Sequence, residues 1–174
     1  VSLPGRAYGN AMTRTLILMR HGKSAYPPGV DDHDRPLTPR GRREAGLAGR
    51  WLRDTQPPID AVRCSTAVRT RETFAATGVA APAVFDRDIY EASEETLIEL
   101  VRLCDPEVAT LLVIGHAPGM PRTAWELASD HGTDDAVRLA RKFSTSALAV
   151  LRFDRPWDRV DSGTADLVSF HIPR

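Results

Sequence analysis

The chain has 174 residues, enough for one domain with a sizeable core. Lys plus Arg and Asp plus Glu number 23 each, so the formal net charge is zero, which argues against nucleic acid as a partner because such binding needs a basic surface. No apolar run approaches the ~20 residues of a membrane-spanning helix, and the N-terminus lacks the apolar core of a secretory signal, so the expectation is a cytoplasmic protein with no membrane partner.

Residues 1–12 are rich in Gly, Pro and small or polar side chains and read as a disordered tail; residues 13–174 read as the folded domain. Thr15-Leu16-Ile17-Leu18-Met19-Arg20 is a buried strand, apolar on both faces, that ends abruptly in Arg20-His21-Gly22. Gly22 permits a sharp turn and a close backbone approach. A polar loop over Lys23 to Pro36 follows and forms the rim of the Arg-His site; Lys23, Asp34 and Arg35 could reach a ligand from it. Thr38 and Pro39 mark a helix start, as N-cap and first helical residue. Ala45, Ala48, Trp51 and Leu52 share one face of that helix, and Pro57-Pro58 stops it.

Ile59 to Ser65 reads as a second strand. Ser65 or Thr66 is expected to cap a helix that runs to about Thr77 and closes at Gly78; Arg69, Glu72 and Thr73 lie on it. Ala83-Val84-Phe85 is a short third strand. Ser93 caps a helix with Glu94 and Glu95 in its first turn, favourable against the helix dipole. Thr110 to Gly115 is the strongest strand, and it again delivers a histidine, His116, at its C-terminal end. A helix from Gly119, another over Asp134 to Phe143, and strands over Ser146 to Phe153 and Thr164 to His171 complete the chain. The two cysteines, Cys64 and Cys104, make neither a metal motif nor a disulfide framework and read as small buried hydrophobes.

Strands alternating with amphipathic helices imply a single α/β domain of three layers, α/β/α, with a mainly parallel central sheet flanked by helices. Ligands bind such sheets at the C-terminal strand edge. Arg20, His21 and His116 would meet there, joined by Arg69 from the first turn of its helix. Arginine forks and histidines converging on one edge point to phosphate chemistry.

Four motifs in this order resemble the histidine phosphatase superfamily: Arg20-His21-Gly22, Leu37-Thr38-Pro39-x-Gly41, Ser65-x-Ala67-x-Arg69-Thr70-x-Glu72-Thr73 and Gly115-His116-x-Pro118-Gly119. Within it the chain most resembles the short, uncapped SixA-like phosphohistidine phosphatases, of phosphoglycerate mutase-like fold. The resemblance implies that His21 is the nucleophile that becomes phosphorylated. It implies that Arg20 and Arg69 hold the phosphoryl group, that His116 completes the pocket, and that Glu91 is the matching candidate for the acid/base residue. Gly22 and Lys23 are further substrate-binding candidates. The Asn that often follows Arg-His-Gly in larger members is missing, with Pro27 near its place, and there is no room for a large cap insertion.

The chemistry asks for a neutral His21 whose second ring nitrogen is held as a donor, which a backbone carbonyl near Gly22 could do. Two guanidiniums would neutralise the phosphoryl oxygens, and His116, if protonated, would add a third positive donor, so neither a metal nor another cofactor is expected. His33, His131 and His171 read as surface or packing residues. The leading function is a metal-independent phosphatase acting through a phosphohistidine intermediate on the phosphohistidine of a phosphorylated protein. A small phosphate ester is the alternative substrate, and a phosphate-binding module without turnover is the alternative class. A monomer is expected.

Overall fold

The structure is a computed structural model and describes residues 12–174. The expected tail therefore lies outside the described residues, except for Met12, whose carbonyl accepts a hydrogen bond from Arg14.

Eleven principal elements follow in the expected sequence: β1 (Arg14–Arg20), α1 (Pro39–Thr55), β2 (Ala61–Ser65), α2 (Val68–Thr77), β3 (Ala83–Asp86), α3 (Glu94–Arg102), β4 (Thr110–Gly115), α4 (Gly119–Leu127), α5 (Asp134–Arg141), β5 (Leu148–Phe153) and β6 (Asp166–His171). The six strands form one sheet in the order β3-β2-β4-β1-β5-β6. The first four in that order are parallel, and β5 and β6 add to the β1 side as antiparallel strands.

The central strands are apolar on both faces because both faces are covered. Successive side chains of a strand point to opposite sides. Leu16 and Leu18 of β1 join Leu111 and Val113 of β4 in a core under α3, α4 and α5. Ile17 and Met19 join Leu112 and Ile114 in a second core under α1 and α2. The three-layer expectation holds for this reason: a strand such as Leu16-Ile17-Leu18-Met19 has no polar face to give to water.

Local signals set most boundaries. The Thr38 hydroxyl accepts the Gly41 N–H at the start of α1 with Pro39 in the first turn, and Ser93 caps α3 through Thr96 N–H. Gly78 ends α2 in the left-handed region at φ 68°. One capping expectation fails. Ala67, not Ser65 or Thr66, stands at the N-cap of α2 and offers no side-chain cap. The Ser65 hydroxyl lies instead against a histidine ring, and its only tie to the helix entrance is a long bond from Ala67 N–H at 3.3 Å. Helix α5 stops at Arg141, before the expected Phe143.

The topology brings the site together. Adjacent strands β1 and β4 send their following helices to opposite faces of the sheet, α1 to one and α4 to the other. A crevice opens at their C-terminal ends, where open α/β sheets bind ligands. Arg20 pairs with Gly115 in register, and the His21 N–H bonds the Gly115 carbonyl at 3.0 Å. The next residues on the two strands, His21 and His116, therefore leave the sheet side by side.

Candidate active site

The His21 and His116 ring centroids lie 5.3 Å apart, tilted by 57°. Nδ1 of His21 is 2.7 Å from the Gly22 carbonyl. A carbonyl can only accept, so Nδ1 carries the proton and Nε2 holds a lone pair. Burial, with Arg69 and Arg20 nearby, pushes the His21 pKa down to about 4, although the Gly22 bond works the other way. The ring is thus neutral at pH 7.

The turn that carries His21 is held from three sides. Gly22 N–H donates to the Thr73 hydroxyl of α2 at 2.9 Å. A Cβ at Gly22 would lie 2.9 Å from the Gly41 carbonyl and 3.2 Å from the Ser146 hydroxyl, so only glycine fits. Ser146 N–H reaches the carbonyls of both Arg20 and His21. Two spacings of the third motif thereby gain a physical reason: Arg69 and Thr73 share one face of α2, and Glu72 accepts the Leu37 N–H just before α1.

Arg20 donates through Nη1 to the Phe143 carbonyl at 2.8 Å, and burial lowers its pKa without discharging it. Arg69 is buried and donates to the Asp32 carbonyl and carboxylate. His116 approaches the Ser65 hydroxyl at 2.8 Å through Nε2. Burial, His21 and Arg69 push the His116 pKa down to about 3. The condition for a third positive donor, a protonated His116, is not favoured here, because burial beside a guanidinium and a second histidine opposes a further positive charge.

Nε of Arg20, Nε of Arg69 and Nδ1 of His116 are buried without a hydrogen-bond partner, as are the Nε atoms of Arg14 and Arg63 elsewhere in the fold. What sets this edge apart is that two arginines and two histidines, Arg20, Arg69, His21 and His116, stand together there, a charge and donor set suited to an anion. Arg69, His116, Asp32, Glu91 and Arg122 line an adjoining cleft of about 470 Å³. Glu91 stands at its wall with φ 57°, an uncommon backbone for a non-glycine residue. Lys23 is exposed, and its side chain makes no hydrogen bond or ion pair among the described residues. Arg35 is buried and turns inward to Asp32 and Ser24.

Asp32, Tyr90 and His33 were not among the site candidates. The Asp32 carboxylate meets Arg69 at 3.1 Å and the Tyr90 hydroxyl at 2.5 Å; the Tyr90 bond, with Arg69, holds its pKa down to about 2. The Tyr90 ring stands edge-on to His116 at 5.4 Å, and His33 edge-on to Tyr90 at 5.0 Å. His33 thus packs, as expected, but at the rim of the site. Asp32 and Tyr90 are 58 residues apart, and nothing local in the sequence marks that pairing. His131 and His171 stack on Trp125 and Trp51, away from the cleft.

The sequence model of the histidine phosphatase superfamily (branch 1) matches residues 16–96. A structure from Nakamurella multipartitia, assigned as phosphohistidine phosphatase SixA, is 38% identical at TM-score 0.86 and covers 92% of this chain and 96% of that one. The chain belongs to the histidine phosphatase superfamily. An uncharacterized protein of Mycobacterium tuberculosis H37Rv is 54% identical over 158 residues, 90% of this chain and 100% of the relative. Phosphohistidine phosphatase SixA of Escherichia coli K12 is 28% identical over 145 residues, 80% of this chain and 85% of its own. The strand order and the flanking helices are those of a phosphoglycerate mutase-like member of this superfamily. As in the sequence reading, no helix of the described residues is long and apolar enough to cross a membrane. No group of three or more His, Cys, Asp or Glu among them is arranged to hold a metal ion.

Proposed function

We propose that this superfamily member is a phosphatase that works through a phosphorylated His21 and acts on phosphohistidine carried by a protein. The observation that carries the reading is a neutral His21 with its Nδ1 held by the Gly22 carbonyl, standing beside His116 and close to Arg20 and Arg69. Nε2 of His21 attacks phosphorus, and the bond from phosphorus to the leaving group breaks with its electron pair going to that group. Because Nδ1 keeps its proton against the Gly22 carbonyl, the phosphorylated ring is cationic and leaves readily in the second step. Water then attacks phosphorus, loses a proton to solvent, and returns His21 neutral. Splitting the hydrolysis in this way exchanges one difficult step for two easier ones.

The guanidiniums supply positive charge to the phosphoryl oxygens by position rather than by covalent chemistry, so activity is expected to survive a chelator. Gly22 contributes its small size and its carbonyl; Lys23 adds a cation at the rim. Glu91 is the candidate proton donor to a leaving oxygen. A leaving imidazole needs that help less than an alkoxide does, and the cleft is open enough for a protein side chain. A small phosphate ester is the second reading, favoured by the position of Glu91 on the wall beside His116.

A panel of phosphohistidine peptides and small phosphate esters, ranked by kcat/KM with and without chelator, tests the proposal. Higher kcat/KM on the peptides and an acid-labile phosphoenzyme are expected. Preference for an ester would transfer the assignment to the second reading, and absence of turnover on every substrate would leave a binding module.

A further inference from the structure

Ser65 is fully buried at the end of β2. Its hydroxyl has one proton and two acceptor positions. Two groups face it: Ala67 N–H at 3.3 Å and Nε2 of His116 at 2.8 Å. The amide can only donate, so it uses an acceptor position. The hydroxyl proton then has one acceptor within reach, Nε2 of His116.

If Nε2 were instead the donor, the hydroxyl proton would be left without an acceptor. Nδ1 of His116 would then carry a lone pair with no donor in hydrogen-bond contact. With Ser65 donating, the ring proton sits on Nδ1, the nitrogen that has no partner in the protein. That gives His116 an N–H on the ring nitrogen not tied to the protein, beside the guanidinium of Arg69 in the same cleft lining.

The geometry points to Ser65 as the positioning residue that sets His116 in its Nδ1–H form, so that this N–H donates to a phosphoryl oxygen. Its part is indirect: it acts through His116 and does not touch the ligand. The low pKa of His116 is consistent with this, because a ring that stays neutral offers a donor only if its tautomer is chosen for it. Ala67 N–H keeps the hydroxyl from rotating, and the Ser65 carbonyl is itself held by the Thr70 hydroxyl at 2.9 Å. The motif that starts at Ser65 thus places its serine on His116 and its arginine, one helical turn later, on the same pocket. The inference rests on the proposed role of His116 as part of a phosphoryl site.

Nitrogen-15 NMR on histidine-labelled protein at pH 7, titrated with inorganic phosphate, tests it. In the wild type, Nε2 of His116 is expected to give the signal of an unprotonated ring nitrogen and Nδ1 that of a protonated one. Ser65→Ala is expected to lose this preference and to weaken phosphate binding about tenfold or more, the usual weight of a hydrogen bond to a charged group. Ser65→Thr keeps the hydroxyl and is expected to restore both. A wild-type His116 protonated at Nε2, or an unchanged tautomer in Ser65→Ala, would overturn the inference, and the first needs no variant to fold. A wild type with the expected tautomer that binds no phosphate would overturn the pocket reading while supporting the Ser65 hydrogen bond.

Discussion

His21 and His116 are unusual less for their position than for their charge. Both are buried among arginines, and both are neutral where a free histidine would be half protonated. In an NMR pH titration their ring signals are expected to hold steady from pH 7 down past 6.5, with midpoints near 4 for His21 and near 3 for His116. A midpoint near 6.5 for His21 would remove the basis for a neutral nucleophile. His21→Ala is expected to cut turnover about a thousandfold or more, as loss of a nucleophile does. Arg69→Lys keeps the charge but loses the planar fork, and is expected to lower kcat/KM by about tenfold to a hundredfold. Glu91→Gln separates the two substrate readings: a large loss on phosphoserine with little change on a phosphohistidine peptide marks Glu91 as the donor to an alkoxide, and equal losses on both would not.

Among the elements, α1 and α2 do most to place the phosphate-facing turn, because they pack on each other and on the loop after β1. They meet tightly at Gly49, where a Cβ would lie 1.9 Å from the Thr77 carbonyl. Gly49→Ala must force the helices apart, and a loss of about 1–3 kcal/mol in urea unfolding is expected. That figure would be near zero if the helices could slide freely. The start of α1 carries a smaller term: Thr38→Ala is expected to cost about 1 kcal/mol, since it removes the hydroxyl that accepts Gly41 N–H. On the other face, α4 begins at Gly119 and its Met120 N–H bonds the His116 carbonyl at 2.9 Å, so the histidine is held by a strand end and a helix start together.

The molecule as a whole gathers positive charge at one sheet edge, and this has a cost in acid. His21 and His116 have folded pKa values of about 4 and about 3 against an ordinary 6.5. Between those limits the unfolded chain binds more protons than the folded one, so stability rises with pH there. The contribution is complete above pH 6.5 and is lost as pH falls toward the folded values. Moving from pH 7 to pH 5 is expected to cost about 2 kcal/mol for His21, on the usual linkage arithmetic. Urea unfolding at the two pH values measures this, and replacing both histidines by Asn should flatten the dependence. Inorganic phosphate should oppose the loss, since a ligand that binds only the folded state stabilises it.

Sequence alone determined the layers, the strand ends and the four central candidates. The runs Leu16-Ile17-Leu18-Met19 and Leu111-Leu112-Val113-Ile114 can be buried only between two helical layers, and each places a histidine just beyond its end. Those are local consequences of hydrophobic pattern and chain direction. Tertiary structure alone decided how the side chains at that edge are paired. Ser65 looked like a helix cap and instead meets His116, 51 residues away; Asp32 looked like part of a solvated loop and instead meets Arg69 and Tyr90. Hydrogen-bond partners across such separations follow from which strands lie side by side. The charge state of those histidines follows from their burial first and from the cationic neighbours the fold brings up second.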